Sequence, residues 1–177
     1  MRRTSNNPGQ HGMIMVLRGR RSLNLLGFAC CLGLMAYALY AEHVLMLAPC
    51  PLCILQRVAV IVLGIVFLVA ALHGTHGAGR YVYSALIAVA TLAGAAVAGW
   101  HVWLQNLPAD QVPTCGPGLD YMLESFPLAD VLKMVFSGSG ECASVDWQFL
   151  GLSMPAWVMI DVLVVGGVGI WNNLRKI

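Results

Sequence analysis

The densest group of chemically capable residues is the stretch APCPLCILQR at positions 48–57. It places Cys50 and Cys53 three apart, Pro51 between them, and Arg57 four residues past the second cysteine. A Cys-x-x-Cys bridge closes so small a ring that it restrains the unfolded chain little. Such pairs serve thiol–disulfide exchange more often than stability. Pro51 suits the first position of a helix, where a missing N–H is no loss. Cys50 is then the cap of that helix and Cys53 lies in its first turn, where backbone amides and the helix dipole favour a thiolate. Arg57 falls one turn deeper on the same face and keeps its charge at any working pH. It is expected to stabilise the Cys53 thiolate and any anion held beside it. The competing role for Arg57 is snorkelling to lipid headgroups.

Two more cysteines, Cys115 and Cys142, stand in a later polar segment with twenty-six residues between them. Two loop-stapling disulfides or a four-thiolate zinc site are the competing readings of the four. Zinc sites usually bring paired Cys-x-x-Cys arms, which the second pair lacks, so no metal is expected. Cys30 and Cys31 sit within an apolar run and are read as packing, because buried thiols behave as small apolar residues. The nine methionines form no Met-x-x-Met cluster with histidine and are read as apolar filler.

The elements that must position these residues are membrane helices. The chain of 177 residues is 59% hydrophobic and 10% charged, whereas a soluble domain carries roughly 25% charged residues. Four apolar runs approach the roughly 20 residues needed to cross a bilayer, at about Leu23–Tyr40, Ile54–Leu72, Tyr81–Trp100 and Pro155–Trp171. Each is expected to be a helix, since hydrocarbon leaves the backbone no other partner. The third run is rich in Ala and Gly and is expected at the centre of a bundle. The fold class is all-α: one integral membrane domain over residues 1–177, with loops at about 41–53 and 101–154. Within the second loop, LDYMLESFPLADVLKMVF has apolar residues at helical spacing, broken at Pro127. One or two short helices fit, lying on the membrane surface or packed on their own loop.

Basic residues set the orientation. Arg2, Arg3, Arg18, Arg20, Arg21, Arg80, Arg175 and Lys176 fall on one side with no acid among them. The 101–154 loop holds Lys133 against six acidic residues. The positive-inside rule then puts both termini in the cytoplasm and the four loop cysteines outside, on the oxidising side of a bacterial-type inner membrane, where disulfides persist. The first run exceeds the usual length of a cleaved signal sequence. Trp157 and Trp171, at opposite ends of the fourth run, are expected to be interface anchors.

A dithiol that keeps oxidising others needs somewhere to send electrons. GTHGAG at 74–79 lacks the strand–turn–helix context of a dinucleotide site, and there is no Cys-x-x-Cys-His haem site. An apolar acceptor dissolved in the bilayer reaches Cys53 and Arg57 directly. A quinone fits, because its reduced forms are oxygen anions that an arginine can hold.

PCPLCILQR, GWHVWLQNLP, PTCGPGLDYMLESFPL, GSGECASVDW and WQFLGLSMPAW together resemble the disulfide bond formation protein B family, in order and over nearly the whole chain. The resemblance implies a four-helix-bundle thiol:quinone oxidoreductase that reoxidises a periplasmic dithiol oxidase resembling disulfide bond formation protein A. Ubiquinone or menaquinone is the implied cofactor, the membrane quinone pool and that oxidase the partners, and nucleic acid plays no part. It further implies that Cys115 is attacked by the reduced partner. Cys142 is then released and attacks Cys50, and the freed Cys53 meets the quinone beside Arg57. His101 matches a histidine near the quinone in that family; its competing role is an interfacial histidine beside Trp100 and Trp103. Two other readings stay open: a family paralogue serving one client, and a structural membrane protein with stapled loops. Family members often carry an acid before the arginine, where this chain has Gln56. Asp161, about two turns inside the fourth run, is an intramembrane acid and therefore a candidate functional group; it could face a polar pocket, pair with Arg57, or simply be hydrated.

Overall fold

In a computed structural model the described residues are 19–75, 77–108, 110–112, 119–138 and 140–175. Arg2, Arg3, Arg18, Lys176 and Cys115 lie outside them. Four of the described helices are long and apolar enough to cross a membrane: α1 (Arg20–His43), α2 (Pro51–His73), α3 (Gly79–Gln105) and, after the loop elements, α7 (Met154–Leu174). Each extends beyond the apolar run expected for it, because capping residues and polar first turns continue the helix outside the hydrocarbon. Cys50, in extended conformation, caps α2, and Pro51 takes its first position. Gly74, with φ at 64°, ends the helix as its N–H bonds back to the Ala70 carbonyl, a left-handed position suited to glycine.

The second loop contributes α4 (Leu119–Ser125), α5 (Leu128–Ser137), the single turn α6 (Gly140–Ala143) and a small hairpin, β1 (Gln148–Phe149) with β2 (Leu152–Ser153). The break at Pro127 is where α5 starts. Val131 and Val135 of α5 are buried with Met122, Leu52 and Leu104 at the cysteine end of the bundle. Leu128, Leu132 and Phe136 point outward. The inner face of α5 thus rests on the bundle as well as on its own loop. The hairpin, not anticipated from the sequence, pairs Gln148 with Ser153 and Phe149 with Leu152. Leu150 and Gly151 turn it with φ of 52° and 79°, the left-handed pair that matches strand twist.

The four long helices form a ring in the order α1, α2, α3, α7, with α3 lying chiefly against α7 and α2. The third span is therefore not central, contrary to expectation. Among the glycines of the four spans, the tightest contacts fall on Gly27 of α1 and on Gly166 and Gly169 of α7. A Cβ at Gly169 would lie 2.4 Å from the Phe67 ring, one at Gly27 2.9 Å from it, and one at Gly166 1.9 Å from the Thr91 hydroxyl. Phe67, fully buried, is the centre of a core that includes Cys31, Leu63, Ile87 and Val162.

At the end carrying the chain termini, polar groups lock the ring. Asn24 and Asn173 exchange side-chain amide hydrogen bonds of 3.0 and 3.2 Å, and the Asn172 amide donates to the Arg20 carbonyl at 3.0 Å. Arg21 donates to the carbonyls of Ala71 and Leu72 at 3.0 and 2.9 Å, closing the C-terminal end of α2 with a cation, as the helix dipole favours. So α1 and α7 are pinned together here. At the other end, the same two helices line opposite walls of a cavity.

Substituting Gly166 or Gly169 by Ala is expected to lower stability by about 1–3 kcal/mol, the usual cost of forcing atoms into a packed core. Gly167→Ala, with nothing within 4 Å of its new methyl, should change little. Thermal unfolding in detergent checks the contrast.

Candidate active site

The cap geometry puts two sulfurs together. The Cys53 amide donates to Cys50 Sγ at 3.4 Å, and the two Sγ atoms lie 3.0 Å apart, unbridged. Cys50 is buried and Cys53 only partly so. Cys50 is therefore the more buried of the pair, and both cysteines border the cavity described below.

From α3, His101 reaches under this cap and is 2% exposed. The Gln56 amide nitrogen lies 2.9 Å from its Nδ1, and its Nε2 lies 3.0 Å from the Cys142 carbonyl. With Gln56 donating to Nδ1, Nε2 carries the proton and donates to that carbonyl. The ring is thus a neutral strut from α2 to α6. Nε2 is also 3.7 Å from Cys50 Sγ. Cys142, 1% exposed, is brought in by α6, and its sulfur, that of Cys50 and a ring nitrogen of His101 all lie within 4.8 Å of one another. Contact with the Cys142 and Cys53 sulfurs, followed by burial, pushes the Cys50 thiol up from its ordinary range. Three donors of this kind would suit a soft cation such as zinc, but they are one short of a closed structural site.

Arg57 lies on the same face as Cys53, one turn deeper. It pairs with the Glu42 carboxylate and donates to the Ala38 carbonyl at 3.2 Å, which aims its guanidinium across the gap between α1 and α2. Asp161 does not pair with it. Beside these groups opens a cavity of about 830 Å³ lined by Cys53, Arg57, His101 and Asp161 among mostly apolar neighbours, within the size range of small-molecule sites. An aromatic row lines one side of it: Tyr37 against Trp147, Trp147 on Phe149, and Phe149 against Trp157, with ring centroids 6.0–6.2 Å apart. The Trp157 indole donates to the Phe149 carbonyl at 3.0 Å.

Set against expectation, the structure joins Cys50, Cys53, Cys142 and His101 in one cluster and puts Arg57 at its lower edge. Cys115 lies outside the described residues. His101 is no interfacial histidine: Trp100 and Trp103 stack on each other at 4.6 Å and are exposed, while His101 is buried. Trp171 is exposed as an anchor should be, and Trp157 also lines the cavity. Cys31 packs in the core as expected, but Cys30 lines the cavity. Sequence reading missed Glu42, although it is the one acid in the first hundred residues and so the one acid there able to meet Arg57. It also missed the service Gln56 performs, which only the position of His101 reveals.

A family model described as disulfide bond formation protein DsbB matches residues 20–172. The chain belongs to the disulfide bond formation protein B family. Curated relatives of that name agree along almost their full length. The one from Nitrosococcus oceani is 55% identical over 150 residues, covering 85% of this chain and 89% of the relative. Those from Methylococcus capsulatus and Saccharophagus degradans are 50% and 48% identical, covering 91% and 92% of this chain and 100% and 98% of theirs. A member of this family is a multi-pass membrane protein of disulfide formation, and the cysteine cluster is where a disulfide-forming oxidoreductase would work.

In the reduced protein Cys53 should react with iodoacetamide about tenfold or more faster than Cys50, whose thiol is both buried and held protonated; mass spectrometry of quenched samples reads the order. Replacing His101 by Ala strands the Gln56 amide and the Cys142 carbonyl without their partner. A loss of about 1–3 kcal/mol in unfolding free energy is expected.

Proposed function

We propose that the protein is a membrane thiol:quinone oxidoreductase that reoxidises a periplasmic dithiol oxidase of the disulfide bond formation protein A type. One observation carries the reading. The Cys50 sulfur lies between two others, 3.0 Å from Cys53 and within 4.8 Å of Cys142, and Cys53 faces a cavity of about 830 Å³ set between spanning helices. A sulfur in that position can exchange partners in both directions without large motion, since exchange proceeds by attack of one sulfur on another.

The proposed course starts with two bridges, Cys115–Cys142 and Cys50–Cys53. A thiolate of the reduced partner attacks Cys115 and releases Cys142 as thiolate. Cys142 attacks Cys50, and Cys53 leaves. The partner's second thiolate then resolves the mixed disulfide and departs oxidised. Cys115 attacks Cys142, restoring that bridge and returning Cys50 to its thiol state. Cys53 finally gives an electron pair to a membrane quinone, the electron-accepting substrate, as Cys50 closes upon Cys53. Two electrons and two protons pass from dithiol to quinol. Either ubiquinone or menaquinone has the apolar tail and oxygen headgroup that this cavity suits. Arg57, held by Glu42 and the Ala38 carbonyl, supplies the positive charge for Cys53 and the quinone oxygen. His101 holds Cys142 against Cys50. The proposed setting is a bacterial inner membrane with both termini cytoplasmic and the cysteine end periplasmic, in line with the positive-inside rule.

Mixing purified protein, reduced partner oxidase and a soluble ubiquinone should consume quinone absorbance catalytically. Cys53→Ser should abolish turnover while leaving the protein folded, whereas a protein with purely stapling disulfides would lose only stability. No quinone consumption by protein with all four loop cysteines intact would overturn the proposal.

A further inference from the structure

We propose that Asp161 is the proton donor to the quinone oxygen, an inference that rests on the thiol:quinone reading above. Asp161 is an acid inside a spanning helix, where a charge is costly and needs a reason. It belongs to the face of α7 that lines the cavity, with Met154, Trp157, Val158 and Val165, spaced as one helical stripe. It therefore points at the cavity and away from lipid. Among the described residues it makes no hydrogen bond or ion pair, while the nearby arginine is taken by Glu42. Its carboxyl is thus uncommitted to the fold.

Its depth matches the chemistry. Asp161 is seven residues past the start of α7 and Arg57 six past the start of α2, about 10 Å and 9 Å along their helices. Counted from the outer starts of their helices, the two groups sit about equally far in, and both line the one cavity. A flat headgroup between them would present one oxygen to a fixed cation and the other to a carboxyl. Arg57 keeps its proton and so can hold charge without supplying the hydrogen that a quinol requires. Asp161 can supply it.

The balance closes with groups already named. Cys53 as thiolate and Cys50 as thiol give two electrons and one proton on forming their bridge. The quinone takes two electrons, that proton, and a second one from the Asp161 carboxyl, and leaves as quinol. The Asp161 carboxylate regains a proton from water at the outer mouth, where Glu141 and Asp146 line the same cavity. That proton replaces one released to water when the partner's thiols ionised to attack.

The test compares Asp161→Asn and Asp161→Glu with the parent protein. General acids contribute typically 10²–10⁴-fold, so Asp161→Asn should lower kcat about a hundredfold with KM for the soluble quinone within about threefold. Asp161→Glu should restore kcat to within about tenfold. Two readouts do not depend on turnover. Equilibrium binding of the quinone to the oxidised protein, followed by tryptophan quenching, should be unchanged in the Asn variant. So should disulfide exchange with the partner in the absence of quinone. An Asn variant with the parent's kcat overturns the role of Asp161 and leaves the enzyme reading standing. A variant that loses quinone affinity in proportion to its rate also overturns it, because Asp161 would then only bind. A parent protein that consumes no quinone overturns both.

Discussion

A capping interaction organises the site. The first turn of α2 leaves amide groups without helical partners, and the Cys50 sulfur accepts from one of them, the Cys53 N–H. Because the cap is itself a reactive sulfur, the helix start fixes the spacing of both members of the pair. Pro51 makes the start of the helix sharp, so Cys53 cannot drift away from Cys50. The same turn also sets the depth of Arg57, one turn below. A different cap would keep the helix and lose the chemistry.

Around that cap the protein builds a dry corner and a wet-to-apolar opening. The corner is the second core, where Leu52, Leu104, Met122, Val131 and Val135 enclose Cys50 and Cys142. Burial there shields both sulfurs from water. His101 serves this corner by bonding to Gln56 on one side and to the Cys142 carbonyl on the other, which joins α2, α3 and α6 through one ring. The opening borders Cys50, Cys53 and His101. It exists because α1 and α7 are pinned by asparagines at one end of the ring and stand apart across the cavity at the other. Close glycine contacts around Phe67 keep the pinned end tight, since lipid tails offer no hydrophobic push to bring helices together.

The bilayer solvent explains which side chains are unusual. Polar residues in spanning helices are costly, and several have a partner or a cavity: Asn24 with Asn173, Gln56 with His101, Arg57 with Glu42, and Asp161 facing the opening. Cys30 and Cys31 make the same point at neighbouring positions. A rotation of 100° along α1 sends one into the core and the other to the cavity wall, although the sequence presents them as equivalent.

What the sequence by itself determined was local or compositional. Four spans follow from the length of the apolar runs, the helix start at Pro51 from proline and cap chemistry, and the Cys50–Cys53–Arg57 face from the period of a helix. Those quantities depend on neighbours a few residues apart, and the physics of a lipid solvent leaves few alternatives. Tertiary structure alone decided which distant residues meet. Cys142 lies beside Cys50, His101 between them, Glu42 on Arg57 and Asp161 on the cavity wall because the ring order and helix rotations place them there. The expected central place of the third span failed for the same reason: small residues permit close approach, but which helices make it is settled by how side chains on several helices pack at once.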